Sequence, residues 1–320
     1  MNSNKNLSDL LDVFVQQIAK TSALVPQTGL MNGKIGIAIL LYHYARYKNE
    51  SEITEYADQL FDLAAHEIGL DFGTSLDDGL CGIAWGLDYL IKQNFVQADD
   101  DILEEIDDAL FSSNRTLYLF DLGLESDKGL YLWSRLRFCE SFAKNIWQKR
   151  METCINHLRD VVMLKYVWHE VPIFPCKTLI RFFHICQKFR EHSQFRPKID
   201  AIYEELSEIV KVSYREEKSS SDKYLLASMF SEIPLLKKCI STDNIPQSFQ
   251  LKDVNNFYLT RLILGQNISI PKIIDKMLLS ITEDHQQMDE LLNQLNPDNG
   301  GLESDICGLA WAMLQWRIDR

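Results

Sequence analysis

The stretch GLMNGKIGIAILLYHYA, residues 29–45, places glycines at the head of an apolar helix pattern. The glycines are Gly29, Gly33 and Gly36, so their spacings are four and three residues. A dinucleotide-binding loop needs G-x-G-x-x-G after a strand, and no β-branched run precedes Gly29. A phosphate-binding P-loop needs four residues between its glycines, whereas three separate Gly29 from Gly33. The stretch therefore predicts a helix start outside both nucleotide-binding classes.

The same pattern recurs twice farther along the chain. SLDDGLCGIAWGLDYL, residues 75–90, repeats a leucine, two glycines, an isoleucine and an alanine of the first copy, each 46 residues later. GGLESDICGLAWAML, residues 300–314, is a third copy, in which Asp305 replaces the middle glycine. A period in this range is typical of repeated supersecondary units.

Each copy predicts a helical hairpin. Residues 35–46 are apolar almost all round, as in a helix buried on several sides. Residues 51–68 place apolar side chains on one stripe, which indicates an outer, half-exposed helix. In this prediction the glycines let a neighbouring backbone approach closely at the start of an inner helix. The alternative is that a glycine contacts a ligand directly.

Later copies match the repeat less well but keep the alternation of inner and outer helices. Further inner helices are expected from residues 123, 175, 222 and 255. Residues 198–212 predict one outer helix, residues 216–223 predict a flexible loop, and the first helix of the chain is expected to cover the last inner helix. The prediction is an all-α fold, an α/α toroid of six to seven helical hairpins that forms a single domain over residues 1–320.

Composition narrows the class of protein. The chain has 320 residues and a net charge of −13, and an acidic chain repels nucleic-acid backbones. The first twenty residues lack the apolar region of a signal peptide, and no apolar run has the length of a membrane span. Seven cysteines, an odd number without a C-x-x-C motif, favour a reducing environment over a disulfide framework. We expect a cytoplasmic protein with no nucleic-acid partner and no membrane span.

Glycine-led helices of the form G-L-x-x-G-x-x-G-I-A resemble the repeats of the lanthionine synthetase C family, the LanC-like proteins. The resemblance is specific in the first two copies, good in the last, and weak over residues 126–299. It implies an α/α toroid around a central cavity. Cyclases of that family bind zinc there, activate a cysteine thiol of a precursor peptide and add it to a dehydroamino acid.

The zinc motifs of the family are missing from this sequence. The family holds zinc with a Cys-x-Gly motif and a Cys-His-Gly motif in late repeats, and neither is present. Cys239 has no histidine near it. His184 and Cys186 are two residues apart, so on a helix they point to different faces, and core packing explains them better. We expect no metal ion and no cofactor.

Two polar residues match the acid and base of the family. Asp121 stands ahead of a glycine-led helix, as an aspartate does in the family's third repeat. His169 and Pro172 match the family's His-Gly-x-Pro stretch, although Glu170 replaces the glycine. The resemblance implies that Asp121 and His169 are catalytic and move protons on a peptide substrate. The alternative is that both residues cap helices or satisfy loops, and for Asp121 this is the preferred interpretation.

A second group of residues is expected at the mouth of the cavity. Acidic side chains there would bind a basic segment of a peptide, and large aromatic rings would line the wall. The alternatives are helix capping for the aspartates of the second copy and core packing for the tryptophans. Cys81 and Cys307 occupy equivalent positions of two copies. Their side chains either face the cavity or pack in the core. The peptide-binding candidates are Asp77, Asp78, Trp85, Glu303, Asp305 and Trp311.

Three functions are compatible with these observations. The first is a divergent, zinc-free LanC-like protein that recognises or modifies a ribosomally synthesised precursor peptide, together with other peptide-modifying enzymes. The second is a carbohydrate-active α/α toroid, a glycosidase or epimerase, which needs facing carboxylates at its cavity. The third is a non-catalytic interaction module. The enzymatic status therefore stays open, since no zinc motif is present to generate a thiolate.

Overall fold

A computed structural model of the chain describes residues 3–70, 72–98, 101–111, 121–136, 144–231, 240, 248–265, 270–283 and 305–319. Within these ranges the regular structure is helical, with 14 α-helices, a 3-10 turn at Ser22–Leu24 and no strand. The all-α prediction is therefore confirmed, whereas the closed toroid and the single domain stay predictions.

The α-helices of the described residues are numbered here in chain order. In chain order they are α1 (Ser3–Thr21), α2 (Lys34–Lys48), α3 (Ser51–Glu67), α4 (Leu80–Lys92), α5 (Glu104–Phe111), α6 (Leu122–Leu136), α7 (Lys144–Trp168), α8 (Cys176–Arg190), α9 (Arg196–Glu205), α10 (Ser207–Glu216), α11 (Ser220–Ser231), α12 (Leu251–Leu264), α13 (Lys272–Glu283) and α14 (Asp305–Ile318). They belong to two compact units. The first comprises Met1–Gly73, Asp77–Asp99 and Gln247–Arg320, and the second comprises Thr74–Leu76 and Asp100–Pro246.

Helix α2 is the centre of the first unit. It packs against α1, α3, α4 and α14, and its apolar side chains are buried on every side. Helix α3 buries only Ile53, Ala57, Leu60 and Ala64 and leaves its opposite face in solvent. The predicted pairing of an inner helix with an amphipathic outer helix is confirmed for this hairpin.

The first two copies of the repeat stack in register. The backbone N–H of Met31 donates to the carbonyl oxygen of Asp77 at 2.8 Å, and the ring of His43 meets the hydroxyl of Tyr89 at 2.8 Å. Both pairs are 46 residues apart, which is the period in the sequence. Equivalent positions of successive copies are therefore direct neighbours at both ends of α2 and α4.

The three glycine-led helices are neighbours in the first unit. Helix α2 packs on α4 on one side and on α14 on another, and α14 packs on α12. Helix α1 packs on α14 and α13. The expectation that the first helix covers the last inner helix is therefore confirmed.

The second unit contains the degenerate copies. Helix α6 packs on α7 and α8, and α8 packs on α11, so three predicted inner helices are again in contact. A buried ion pair joins two of them, since Nη1 of Arg181 lies 2.8 Å from Oδ1 of Asp127. The other oxygen of Asp127 accepts the backbone N–H of Leu76 at 2.8 Å.

Two sequence predictions fail in the second unit. The single outer helix predicted for residues 198–212 is interrupted at Leu206, so that α9 and α10 are separate. The predicted flexible loop at residues 216–223 is a three-residue turn followed by α11. The Glu217 carboxylate holds this turn, because it accepts the backbone N–H groups of Lys218 and Ser219. Helix α13 was not predicted.

Replacing Gly33 by alanine tests the packing of the helix starts. A Cβ at Gly33 would lie 2.3 Å from the nitrogen of Gly29 and 2.5 Å from the carbonyl carbon of Thr28. Because backbone atoms cannot yield, we expect Gly33→Ala to lower the free energy of unfolding by about 3 kcal/mol, measured by urea denaturation. Gly73→Ala is the control, since a Cβ there meets nothing within 4 Å. Equal stability of the two variants would contradict the packing argument.

Candidate functional site

The loops that start α2 and α4 are packed against each other. A Cβ at Gly29 would lie 2.7 Å from the Cα of Asp78 and 2.9 Å from the carbonyl oxygen of Asp77. The amide of Asn32 donates to the Asp78 carboxylate at 3.3 Å. Gly29 thus allows the backbones of the two loops to approach closely, as the structural interpretation of the sequence pattern requires.

The two aspartates occupy different environments at the start of α4. Asp78 is exposed and Asp77 is half-buried, and both precede the first turn of the helix, where carboxylates are favoured by the helix dipole. The structure therefore puts two predicted peptide-binding acids side by side near the helix start of the first copy. Their contact with a peptide stays a prediction.

Lys34, next to Gly33, forms a structural ion pair with Glu67. Its ammonium is 2.6 Å from Oε2 of Glu67, which also accepts the hydroxyl of Thr28 at 3.1 Å. The hydrogen bond from Lys34 lowers the pKa of the Glu67 carboxyl. This cation therefore ties the start of α2 to the end of α3.

Trp85 and Trp311 belong to a buried aromatic cluster in the first unit. The ring of Trp85 stacks on Tyr89 with a centroid distance of 5.1 Å. The His43 ring packs edge-on against Trp311 at 5.3 Å and against Phe95 at 5.0 Å. The tryptophans are 6% and 1% exposed, so here they shape the core of the cluster. Peptide contact by either ring stays a prediction.

His43 is the titratable member of this cluster, and the sequence patterns did not single it out. Burial, helped by the positive charge of Arg46, lowers its pKa to about 4. Burial also raises the pKa of Tyr89 to about 12. Both groups are therefore neutral at physiological pH. The signal that could have found the pair is their 46-residue separation, which is the repeat period.

Asp121 caps helix α6. Its Oδ1 accepts the backbone N–H of Gly123 at 2.8 Å and that of Leu124 at 3.1 Å. These donors are among the first N–H groups of the helix, which have no partner within it. The capping interpretation therefore accounts for Asp121, and a catalytic role stays a prediction.

His169 lies at a helix end rather than a helix start. The sequence placed it at the start of an inner helix, but it directly follows the last residue of α7 and precedes α8 by seven residues. Its side chain is exposed and its φ is +55°. The left-handed conformation is typical of the residue that ends a helix, where glycine and asparagine are preferred. Its place in the fold is therefore corrected, and proton transfer by His169 stays a prediction.

A glycine at position 169 is expected to stabilise the chain. Relief of the left-handed strain should raise the free energy of unfolding by about 0.5–1 kcal/mol for His169→Gly, measured by thermal or urea denaturation. His66→Gly is the control, because His66 is an exposed histidine in the last turn of α3. That variant should lose about 0.5–1 kcal/mol. Destabilisation of the His169 variant would show that its side chain contributes more than its backbone strain costs.

Glu125 and His157 form a carboxylate–imidazole pair that the sequence patterns missed. Oε2 of the buried Glu125 is 3.2 Å from Nδ1 of His157, and Oε1 is 3.3 Å from the ammonium of Lys128. Burial opposes the charge of Glu125, but the hydrogen bond from His157 and the charge of Lys128 outweigh it and lower the pKa of the carboxyl. The same hydrogen bond raises the pKa of His157. A charged pair therefore joins α6 and α7.

This pair predicts a pH dependence of stability. A histidine whose pKa is raised on folding stabilises fully below its ordinary value of 6.5, and the contribution is lost as the pH rises through the folded pKa. We expect the free energy of unfolding to fall as the pH rises above about 6.5. His157→Gln should flatten this dependence, whereas His66→Gln should leave it intact. An unchanged pH profile for His157→Gln would refute the charged pair.

The cysteines in the part of the chain that the structure describes are buried thiols. They are Cys81, Cys154, Cys176, Cys186 and Cys307. Burial raises the pKa of the Cys154 thiol, and the charge of Glu125 raises it further. Cys81 and Cys307 are buried in α4 and α14, as their packing interpretation requires. Cys186 and His184 are likewise core residues of α8.

The remaining predicted residues are located only in part. Asp305 is the first residue of α14, whereas Glu303 and Cys239 lie outside the described residues. Among the residues with a described position, no three His, Cys, Asp or Glu side chains come together as a metal site. Within the same part of the chain, no helix is long and apolar enough to cross a membrane.

The chain matches no protein-family model, and comparison with curated proteins and with solved structures yields no significant match. The family resemblance therefore rests on the glycine frame of residues 29–45, 75–90 and 300–314. The geometry of the helix starts, with Asp77 and Asp78 beside the first copy, is the physical basis for a functional proposal.

Proposed function

We propose that this chain is a divergent LanC-like protein that recognises a basic segment of a ribosomally synthesised peptide without catalytic zinc. In this proposal Asp77 and Asp78 contact the peptide, and Glu303 and Asp305 are further acids that bind it. Recognition is the core of the proposal, and cyclisation of the peptide is not required. Other peptide-modifying enzymes are the expected partners in the same maturation.

The observation that carries the proposal is the stacking of equivalent helix-start loops. The contact of Gly29 with the backbone of Asp77 and Asp78 supports the repeat assignment on which the resemblance depends. It also supports a fixed position for the exposed Asp78 carboxylate, since the loop beneath it has no room to shift. An acidic group on a rigid surface binds a cation without the entropic cost of ordering a loop.

The missing zinc motifs favour recognition over cyclisation. In the cyclisation that the resemblance implies, the nucleophile is a thiol of the precursor peptide, and a metal ion generates its thiolate. The sequence has neither of the two zinc motifs of the family. Cys81 and Cys307, the two cysteines at inner-helix starts, are 0% and 4% exposed, which is consistent with a packing role.

Peptide binding to charge-neutralised variants tests this proposal. The probe is a fluorescein-labelled 15-residue peptide of lysine, serine and alanine, titrated with the full chain and followed by fluorescence anisotropy. We expect saturable binding that weakens with salt, and an affinity about fivefold lower for the Asp77→Asn/Asp78→Asn variant. Glu55→Gln/Asp62→Asn is the control, since it removes the same number of charges and both residues are exposed acids of α3 in the same unit.

Two outcomes would count against the proposal. The first is binding of a matched peptide with glutamate in place of lysine at the same affinity, since this would remove the electrostatic argument. The second is an equal loss of affinity for Glu55→Gln/Asp62→Asn, since this would assign the effect to net charge rather than to the start of α4. Thermal denaturation of each variant checks that the fold is kept.

A further inference from the structure

The last turns of α7 carry an apolar surface that faces solvent. Tyr166 and Val167 are 56% and 69% exposed, and Met163, one turn earlier, is also exposed. These positions are three and four residues apart and therefore share one face of the helix. Leu158, Val161 and Val162 are buried on the other side of α7, so this exposed face is additional to the one that serves the core.

The segment after α7 also exposes an apolar side chain. Ile173 is 57% exposed. The ammonium of Lys165 is 2.8 Å from Glu205, the last residue of α9, and the N–H of Phe174 donates to Ser213 within α10 at 3.0 Å. The end of α7 is thus anchored on α9 and the segment that follows it on α10, the next helix of the same unit. We call Met163, Tyr166, Val167 and Ile173 the α7 patch.

Tyr166 is held in place while its ring stays exposed. Its hydroxyl donates to Oε2 of Glu205 at 2.6 Å, and the ammonium of Lys165 lies 5.0 Å from the centre of its ring. A fixed, amphipathic aromatic ring loses little entropy on binding, which is why tyrosine is common at interaction hot spots. An exposed apolar group of this kind marks an interaction site more often than an isolated surface residue does.

The charges around the α7 patch are predominantly negative. Glu170, Glu204 and Glu208 are exposed, and within the part of the chain that the structure describes none of them forms an ion pair. Lys211 and Arg215 are exposed cations of α10, and Arg215 pairs with Glu216. The three glutamates and Lys211 therefore carry a charge of −2. A symmetric contact between two copies of the chain would bring acidic rim against acidic rim, which is unfavourable.

We propose that the α7 patch docks a basic amphipathic segment of a partner protein. Apolar side chains of that segment would cover Tyr166, Val167 and Ile173, and its lysines or arginines would meet Glu170 and Glu208. The inference goes beyond the proposed function, because the patch belongs to the second unit and its test does not involve Asp77 or Asp78.

The test uses a labelled 14-residue helix-forming peptide of leucine, lysine and alanine as the probe. Anisotropy titration of the full chain is expected to give a dissociation constant in the micromolar range. Val167→Ser/Ile173→Ser should weaken binding at least tenfold, and Glu170→Gln/Glu208→Gln should weaken it severalfold and reduce its salt dependence. Ile146→Ser is the matched control, since Ile146 is equally exposed at the other end of α7.

The following results would contradict the inference. Absence of probe binding to the parent chain, parent-like binding by Val167→Ser/Ile173→Ser, or equal binding of a leucine–glutamate analogue would overturn it. A parent chain that sediments as a dimer and becomes a monomer in Val167→Ser/Ile173→Ser would assign the patch to a second copy instead. Because the variants change exposed side chains, circular dichroism and melting temperature should match those of the parent.

Discussion

The packing of the Gly29–Gly33 turn on the backbone of Asp77 and Asp78 is the constraint on which the first unit depends. A Cβ at Gly29 would clash with the backbone of Asp77 and Asp78, and a Cβ at Gly33 would clash with the backbone of Thr28 and Gly29. Gly29 therefore lets the two helix starts approach closely, and Gly33 keeps the turn before α2 tight. The close approach of the two helix starts sets the register of the helices that follow. The contact between His43 and Tyr89 at the far ends of α2 and α4 is the consequence.

The second unit joins neighbouring inner helices with a buried ion pair. Its copies lack the full glycine frame, and the inner helices α6 and α8 are joined by the buried pair of Asp127 and Arg181. Burying two charges costs desolvation free energy, and removing one partner of such a pair leaves an uncompensated buried charge. Because Asp127 also accepts the N–H of Leu76, a shift of α6 would disturb both contacts at once.

Much of the fold could be predicted from the sequence, because a glycine frame and an apolar period are local signals. The inner helices α2 and α4 and the packing of α1 on α14 follow from such signals. The interruption at Leu206 could not be predicted, since both sides of it have helical periodicity. The Glu125–His157 pair was missed because its partners are 32 residues apart on different helices, outside any repeat period. His169 was misplaced because a motif match says nothing about a left-handed helix end.

The same pair explains why the end of α7 carries exposed apolar side chains. Glu125 is three residues from the start of α6, whereas eleven residues of α7 follow His157. Since the two helices are adjacent and connected by a short segment, α7 extends past the start of α6 by about eight residues, or about 12 Å. Within that overhang Val161, Val162 and Leu164 stay buried, whereas Tyr166 and Val167 face solvent. The polar contacts of its last turn are with Glu205, the last residue of α9. An outer helix longer than its inner partner therefore creates a surface that the repeat itself does not need.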